Sequence, residues 1–94
     1  MLDFYLVEND ILTHNKIAKN ERLGSMDFAE FEELQKKKII QSHLDYYKDF
    51  RWTNEQVNNM LKSLVTDPNY RDYKLTAILE KAATHNSGLL ANAD

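Results

Sequence analysis

The sequence predicts an α+β fold: a small helix-rich single domain, with about three helices, two or three short strands, and the N- and C-terminal strands placed to pair. Three observations carry this expectation. Gly24, Gly88 and Pro68 are the chain's only glycines and proline, and long stretches without breakers favour helices over a many-stranded sandwich. Two stretches pair a helix-start signal with apolar residues at helical spacing, and a third shows the spacing alone. Compact apolar runs stand near both ends of the chain. The 94 residues leave no room for a second core, so residues 1–94 are read as one domain.

Residues 3–8 (Asp-Phe-Tyr-Leu-Val-Glu) gather two aromatics and a β-branched residue in one short run, which predicts a strand. From Asn9 to Gly24 the chain is polar, rich in Asn and weakly periodic, and this predicts a loop with one helical turn near Ile11–Ile17. The best-marked element follows. Asp27 is placed to cap, Glu30 stands three residues later, and Met26 and Phe31 hold the staple positions; together they start a helix running from about Phe28 to Lys38. Its narrow apolar face is Phe28, Phe31 and Leu34. Glu32–Lys36 and Glu33–Lys37 are i,i+4 pairs in the favoured order, worth ~0.2–0.5 kcal/mol each. Acids near its start and lysines near its end also suit the macrodipole.

Ile39–Arg51 admits two readings. As a continued helix, Ile40, Leu44, Tyr47 and Arg51 share a stripe. As a strand, Leu44, Tyr46, Phe50 and Trp52 share a face with Lys48, and His43, Asp45, Tyr47, Asp49 and Arg51 take the other. The strand is preferred, because it gathers the apolar residues and sets every acid opposite them. A second capping box, Thr53-Asn-Glu-Gln56, with Trp52 and Val57 as its staple, starts the next helix. Val57, Met60, Leu61, Leu64 and Val65 recur at helical spacing, and Pro68 disfavours helical geometry at Asp67, so this helix ends near Thr66. A third helix is expected over about Tyr70–His85, with Leu75, Ile78, Leu79 and Ala82 on one face and Gly88 behind it as the C-cap. The tail Gly-Leu-Leu-Ala predicts a closing strand, which needs helices packed on it to hold.

Cysteine is absent, which excludes disulfides, thiolate chemistry and cysteine-type zinc sites. The chain starts with Asp3, Glu8 and Asp10 before any base and has no 18-residue apolar span; the expectation is a cytoplasmic protein with no signal peptide and no membrane segment. No Gly-x-Ser-x-Gly elbow, Walker loop or His-Glu-x-x-His helix occurs, so no enzyme activity and no cofactor are expected. His43, Asp45 and Asp49 would share a strand face, but strand neighbours roughly 7 Å apart splay rather than converge on a metal, so no metal site is expected.

Net charge is −3 but unevenly spread: residues 1–34 hold eight acids against three bases, and residues 35–51 five bases against two acids. The run from Asp45 to Trp52 holds four of the ten aromatics. Trp52 and Phe50 read as core, with Trp52 in the staple. Tyr46, Tyr47, Asp49 and Arg51 are the candidate binding residues, since Tyr and Arg are enriched at interface cores. Glu30, Glu32 and Glu33 form an acidic cluster suited to steering a basic partner. The expected function is a non-catalytic cytosolic protein-binding module that masks or regulates a protein partner, in the manner of an immunity or antitoxin-like inhibitor of a basic toxin or nuclease. The alternative is a single-stranded nucleic-acid-binding protein using Lys36–Lys38, Arg51 and nearby aromatics, disfavoured by the acidic balance. A homodimer, made by extending an unpaired terminal strand, is neither forbidden nor demanded.

Overall fold

In the computed structural model, which describes residues 2–7 and 22–93, the two ends of the chain lie side by side in one sheet. The strands are β1 (Leu2–Val7), β2 (Arg22–Met26), β3 (Phe50–Trp52) and β4 (Gly88–Ala93), and the helices are α1 (Phe28–Lys36), α2 (Asn54–Leu64) and α3 (Lys74–Thr84). The sheet is antiparallel throughout, in the order β2-β1-β4-β3. Leu2 faces Ala93, Phe4 faces Ala91 and Leu6 faces Leu89, so the terminal strands pair as expected, and they form the centre of the sheet. A dimer built on an unpaired terminal strand is therefore closed to this fold. The edges belong to β2 and β3.

Alternation along the strands sends Leu2, Phe4, Leu89, Ala91 and Trp52 to one face, where the helices bury Phe31, Leu34, Val57, Met60, Leu64, Leu75, Ile78, Leu79 and Ala82 against them. Each such large apolar side chain contributes ~1.5–3 kcal/mol by leaving water. The opposite face carries a cross-strand row, Arg22, Tyr5, Leu90 and Arg51, from the register of the three ladders.

β2 was not expected; residues 22–24 belonged to the anticipated loop. Gly24 and Ser25 lack the side chains that mark strands. The strand exists because β1 pairs with it, around a register shift between Phe4 and Tyr5. Gly24 also lies against α3, where an added Cβ would stand 3.3 Å from the Ile78 side chain. The rest of the expected loop, residues 9–21 with the helical turn near Ile11–Ile17, lies outside the described residues.

The helix signals resolve, with differences at the helix ends. Thr53 and Gln56 form a full capping box, with Oγ1 accepting from the Gln56 N–H at 3.1 Å and Oε1 from the Thr53 N–H at 2.8 Å. Trp52 and Val57 are buried as its staple. Val65, last in the apolar series, is the C-cap and is exposed. α1 ends at Lys36 rather than Lys38. Lys38 takes a left-handed φ of 64°, with the Lys38 N–H bonded to Gln35 O and the Ile39 N–H to Leu34 O, a Schellman stop whose apolar pair, Leu34 and Ile39, is buried. The third helix begins at Lys74, after a separate 3-10 turn over Tyr70–Asp72. It is stopped by Asn86, φ 52°, and not by Gly88. Gly88 serves close packing: the carbonyl oxygen of Trp52 occupies the space a Cβ would need.

Of the expected 39–51 strand only Phe50 and Arg51 are extended, as the start of β3; residues 39–49 are turns and irregular backbone. The Gln35 side-chain amide grips this segment by donating to Gln41 O and Leu44 O, each at 3.0 Å, and Gln41 Oε1 accepts from the Trp52 indole N–H at 3.0 Å. The predicted apolar set survives without the strand, since Tyr46 and Trp52 are buried and Leu44 and Phe50 pack against the core.

Candidate functional site

A ladder of aromatic rings runs from the centre of the sheet to the surface at the start of α1. Phe4 stacks on Trp52 with centroids 5.6 Å apart, Phe50 lies 5.1 Å from Trp52, and Phe31 links Phe50 to Tyr46 at 6.3 and 5.4 Å. Beyond Tyr46 the ladder reaches solvent. Tyr46 meets Phe28 at 5.4 Å and Tyr47 at 5.1 Å, both nearly edge-on, and Phe28 and Tyr47 lie face to face at 6.0 Å with ring planes 23° apart.

Exposure divides these rings. Tyr46 is 7% exposed, and its hydroxyl donates to the Met26 carbonyl at 3.0 Å; burial pushes its pKa upward. It is a support. Tyr47 is 68% exposed and Phe28 44%, the two forming one apolar corner. Tyr47 is held by its backbone, since Asp45 Oδ1 accepts from its N–H at 2.8 Å. Phe28 is placed by the sequence on the narrow apolar face of α1 with Phe31 and Leu34. It sits instead at the first helical position, beyond the packed turn formed by Phe31 and Leu34. The signal was available: the staple already used Met26 and Phe31, leaving Phe28 without a duty at that helix start.

Asp49 and Arg51 do not join the corner. Asp49 Oδ1 accepts from the Ala93 N–H at 2.7 Å, tying the end of β4 to the chain entering β3. Arg51 points from the other face of the sheet, opposite Leu90, and makes no hydrogen bond or ion pair among the described residues.

The acidic cluster divides as well. Glu30 Oε2 accepts from the Leu75 N–H at 3.0 Å, in the first turn of α3. Glu33 Oε2 accepts from the Tyr73 hydroxyl at 2.6 Å and lies 3.6 Å from Lys37 Nζ. Glu32 is exposed and unpaired among the described residues, so the expected Glu32–Lys36 pair does not form whereas Glu33–Lys37 does.

The lysine run is similarly committed. Lys37 donates to Asp67 Oδ2 at 2.6 Å and to the Tyr73 hydroxyl at 2.7 Å. The bond to Asp67 is the main reason its pKa rises, and the same bond lowers that of Asp67. Tyr73 is shifted upward, first by its bond to Glu33. Lys37, Lys38 and Lys62 line an open cleft of about 730 Å³ together with Ser63, Thr66 and Asp67. The carbonyl ends of α1 and α2 lie at this cleft and, with Asp67, offset much of the lysine charge there. Among the described residues no cluster of three His, Asp or Glu side chains is arranged to hold a metal ion, and no helix is long and apolar enough to cross a membrane.

Fold and site together define a two-layer α+β domain whose candidate site is a surface of exposed aromatic rings. The chain matches no family model, and no curated protein or solved structure is significantly similar to it.

Proposed function

We propose that this chain is a non-catalytic protein-binding module that masks or regulates a protein partner, with the Phe28–Tyr47 corner as its anchor. One observation supports the reading most. The two rings are stacked on each other and exposed, and both rest edge-on against Tyr46 at the end of a buried aromatic ladder. Rigid aromatic area held in place in advance is what an interface hot spot needs, since little side-chain freedom is lost on binding. The finer reading is an inhibitor of the immunity or antitoxin kind, acting in the cytoplasm on a basic toxin or nuclease. The test is capture from a native lysate by wild-type protein and by folded Phe28→Ala and Tyr47→Ala variants. A partner retained by wild type and lost by both variants is the expected result; equal retention by all three rejects the reading.

A second reading has one observation in its favour. Arg51, unpaired among the described residues, shares the outer row of the sheet with Leu90 and Tyr5, a cation and a ring of the kind that single-stranded nucleic-acid binders present. Arg22, at the row's other end, is neutralised by Asp3 at 2.8 Å. This reading requires tight RNA or DNA binding that falls steeply with salt, is lost in Arg51→Ala and is kept in Tyr47→Ala.

A further inference from the structure

We infer that the Phe28–Tyr47 corner is built to receive an arginine side chain from a basic segment of its partner; the inference rests on the protein-binding reading and specifies its chemistry. The corner is flanked by carboxylates that form no ion pair among the described residues. Asp27 precedes Phe28 as the N-cap of α1, and one of its oxygens accepts from the Glu30 N–H at 2.9 Å. Asp45 uses one oxygen on the Tyr47 N–H. Glu32 follows Phe28 by one helical turn, on the same side of α1. All three are exposed, and none forms an ion pair among the described residues, unlike Asp3, Glu33 and Asp67, which do. Lys48 is the one cation next to Tyr47 in sequence, and it makes no ion pair with them.

An exposed ring beside unpaired carboxylates selects a cation over a neutral or acidic group. The ring's negative face attracts the charge from above, and a carboxylate at its edge takes the N–H donors. Arginine suits both at once, because its planar guanidinium stacks on an aromatic face while its fork reaches a carboxylate; a lysine ammonium is a point charge on a flexible stem and cannot do both with one plane. Tyr46, locked by its hydroxyl to Met26, keeps the two outer rings from collapsing into the core. The same rim charges raise the encounter rate with a basic partner more than the final affinity.

The test uses a Gly-Arg repeat peptide as probe, with its citrulline counterpart, which has the same shape and no charge, and a Gly-Lys repeat. Binding is followed by NMR shifts of the Phe28, Glu32 and Tyr47 resonances, with the Trp52 indole N–H, buried on Gln41, reporting an intact fold. The rim is neutralised by Asp27→Asn, Glu32→Gln and Asp45→Asn together; Asn retains the acceptor at the cap and at the Tyr47 turn. The expected result is a salt-sensitive shift at the corner with the arginine peptide, a smaller one with lysine and none with citrulline. Tyr47→Ala should weaken binding roughly 2–30-fold, the range of a cation–aromatic contact from exposed to desolvated, and rim neutralisation should weaken it further. Shifts at Arg51 and the outer sheet instead of the corner overturn the inference, as do equal shifts with citrulline or lysine. The lysate capture separates the two failures. A partner lost by Tyr47→Ala but retained by the neutralised rim leaves the protein-binding reading standing and removes the arginine. A partner retained equally by wild type, Phe28→Ala and Tyr47→Ala removes both.

Discussion

Tyr46 and Tyr47 share a side chain and a peptide bond, and the fold gives them opposite duties. Tyr46 touches three rings, those of Phe28, Phe31 and Tyr47, and its hydroxyl donates to the Met26 carbonyl. Replacing it by phenylalanine should cost about 0.5–1.5 kcal/mol, the net worth of one hydrogen bond. Truncating it to alanine should cost about 3–5 kcal/mol through the cavity left behind. Tyr47→Ala should stay within about 0.5 kcal/mol of wild type, as exposed positions do. Urea unfolding followed by Trp52 fluorescence compares all three, and a Tyr47→Ala loss as large as that of Tyr46→Ala would make the corner a part of the core. This division was half legible in the sequence. An alternating pattern puts Tyr46 on the apolar side and Tyr47 on the polar side, and burial follows that division although turns, not a strand, produce it. What sequence could not show is the Gln35 amide holding the turns in place, because that grip depends on where α1 lies.

At the scale of elements, α3 starts without a cap of its own: Tyr73 occupies the N-cap position and its side chain makes no capping bond. α1 supplies the missing acceptor through Glu30, whose carboxylate meets the Leu75 N–H. This explains why the expected Asp27–Glu30 box forms in one direction only. Asp27 accepts from the Glu30 N–H, while the glutamate side chain has been drawn to a second helix. Glu30→Ala should therefore destabilise the protein by about 1–2 kcal/mol, in the range of a lost N-cap together with its charge–dipole term. Glu30→Gln retains the acceptor and should recover part of that loss. The Leu75 amide should exchange faster in the alanine variant, while α1, capped by Asp27, is unchanged; hydrogen exchange by NMR reads both helices in one experiment. Helix starts were legible because a capping box lies within four residues. Glu30's actual partner is 45 positions away, and local pattern has no access to it.

For the whole molecule, β4 decides whether there is a sheet at all. It joins β1 to β3, and it delivers Leu89 and Ala91 to the core. The apolar runs at the two ends of the chain announced β1 and β4, but neither announced the centre of a four-stranded sheet, because order depends on β2, whose Gly24 and Ser25 carry no strand signal. The pairing of Leu2 with Ala93 closes nearly the whole chain, and the entropy of that closure is recovered only when the helices pack on the finished sheet. A chain ending at Ser87 loses both ladders of β4 and leaves β1 with β2 alone, and an isolated two-stranded pairing is marginal in water. Such a chain should lack dispersed NMR signals and a cooperative melt, even though every helix-start signal is still present in it. A cooperative transition in that truncated chain would show that the helices and the β1–β2 pair hold a core without the central strand, and would move the origin of the fold's stability from the sheet to the helical layer.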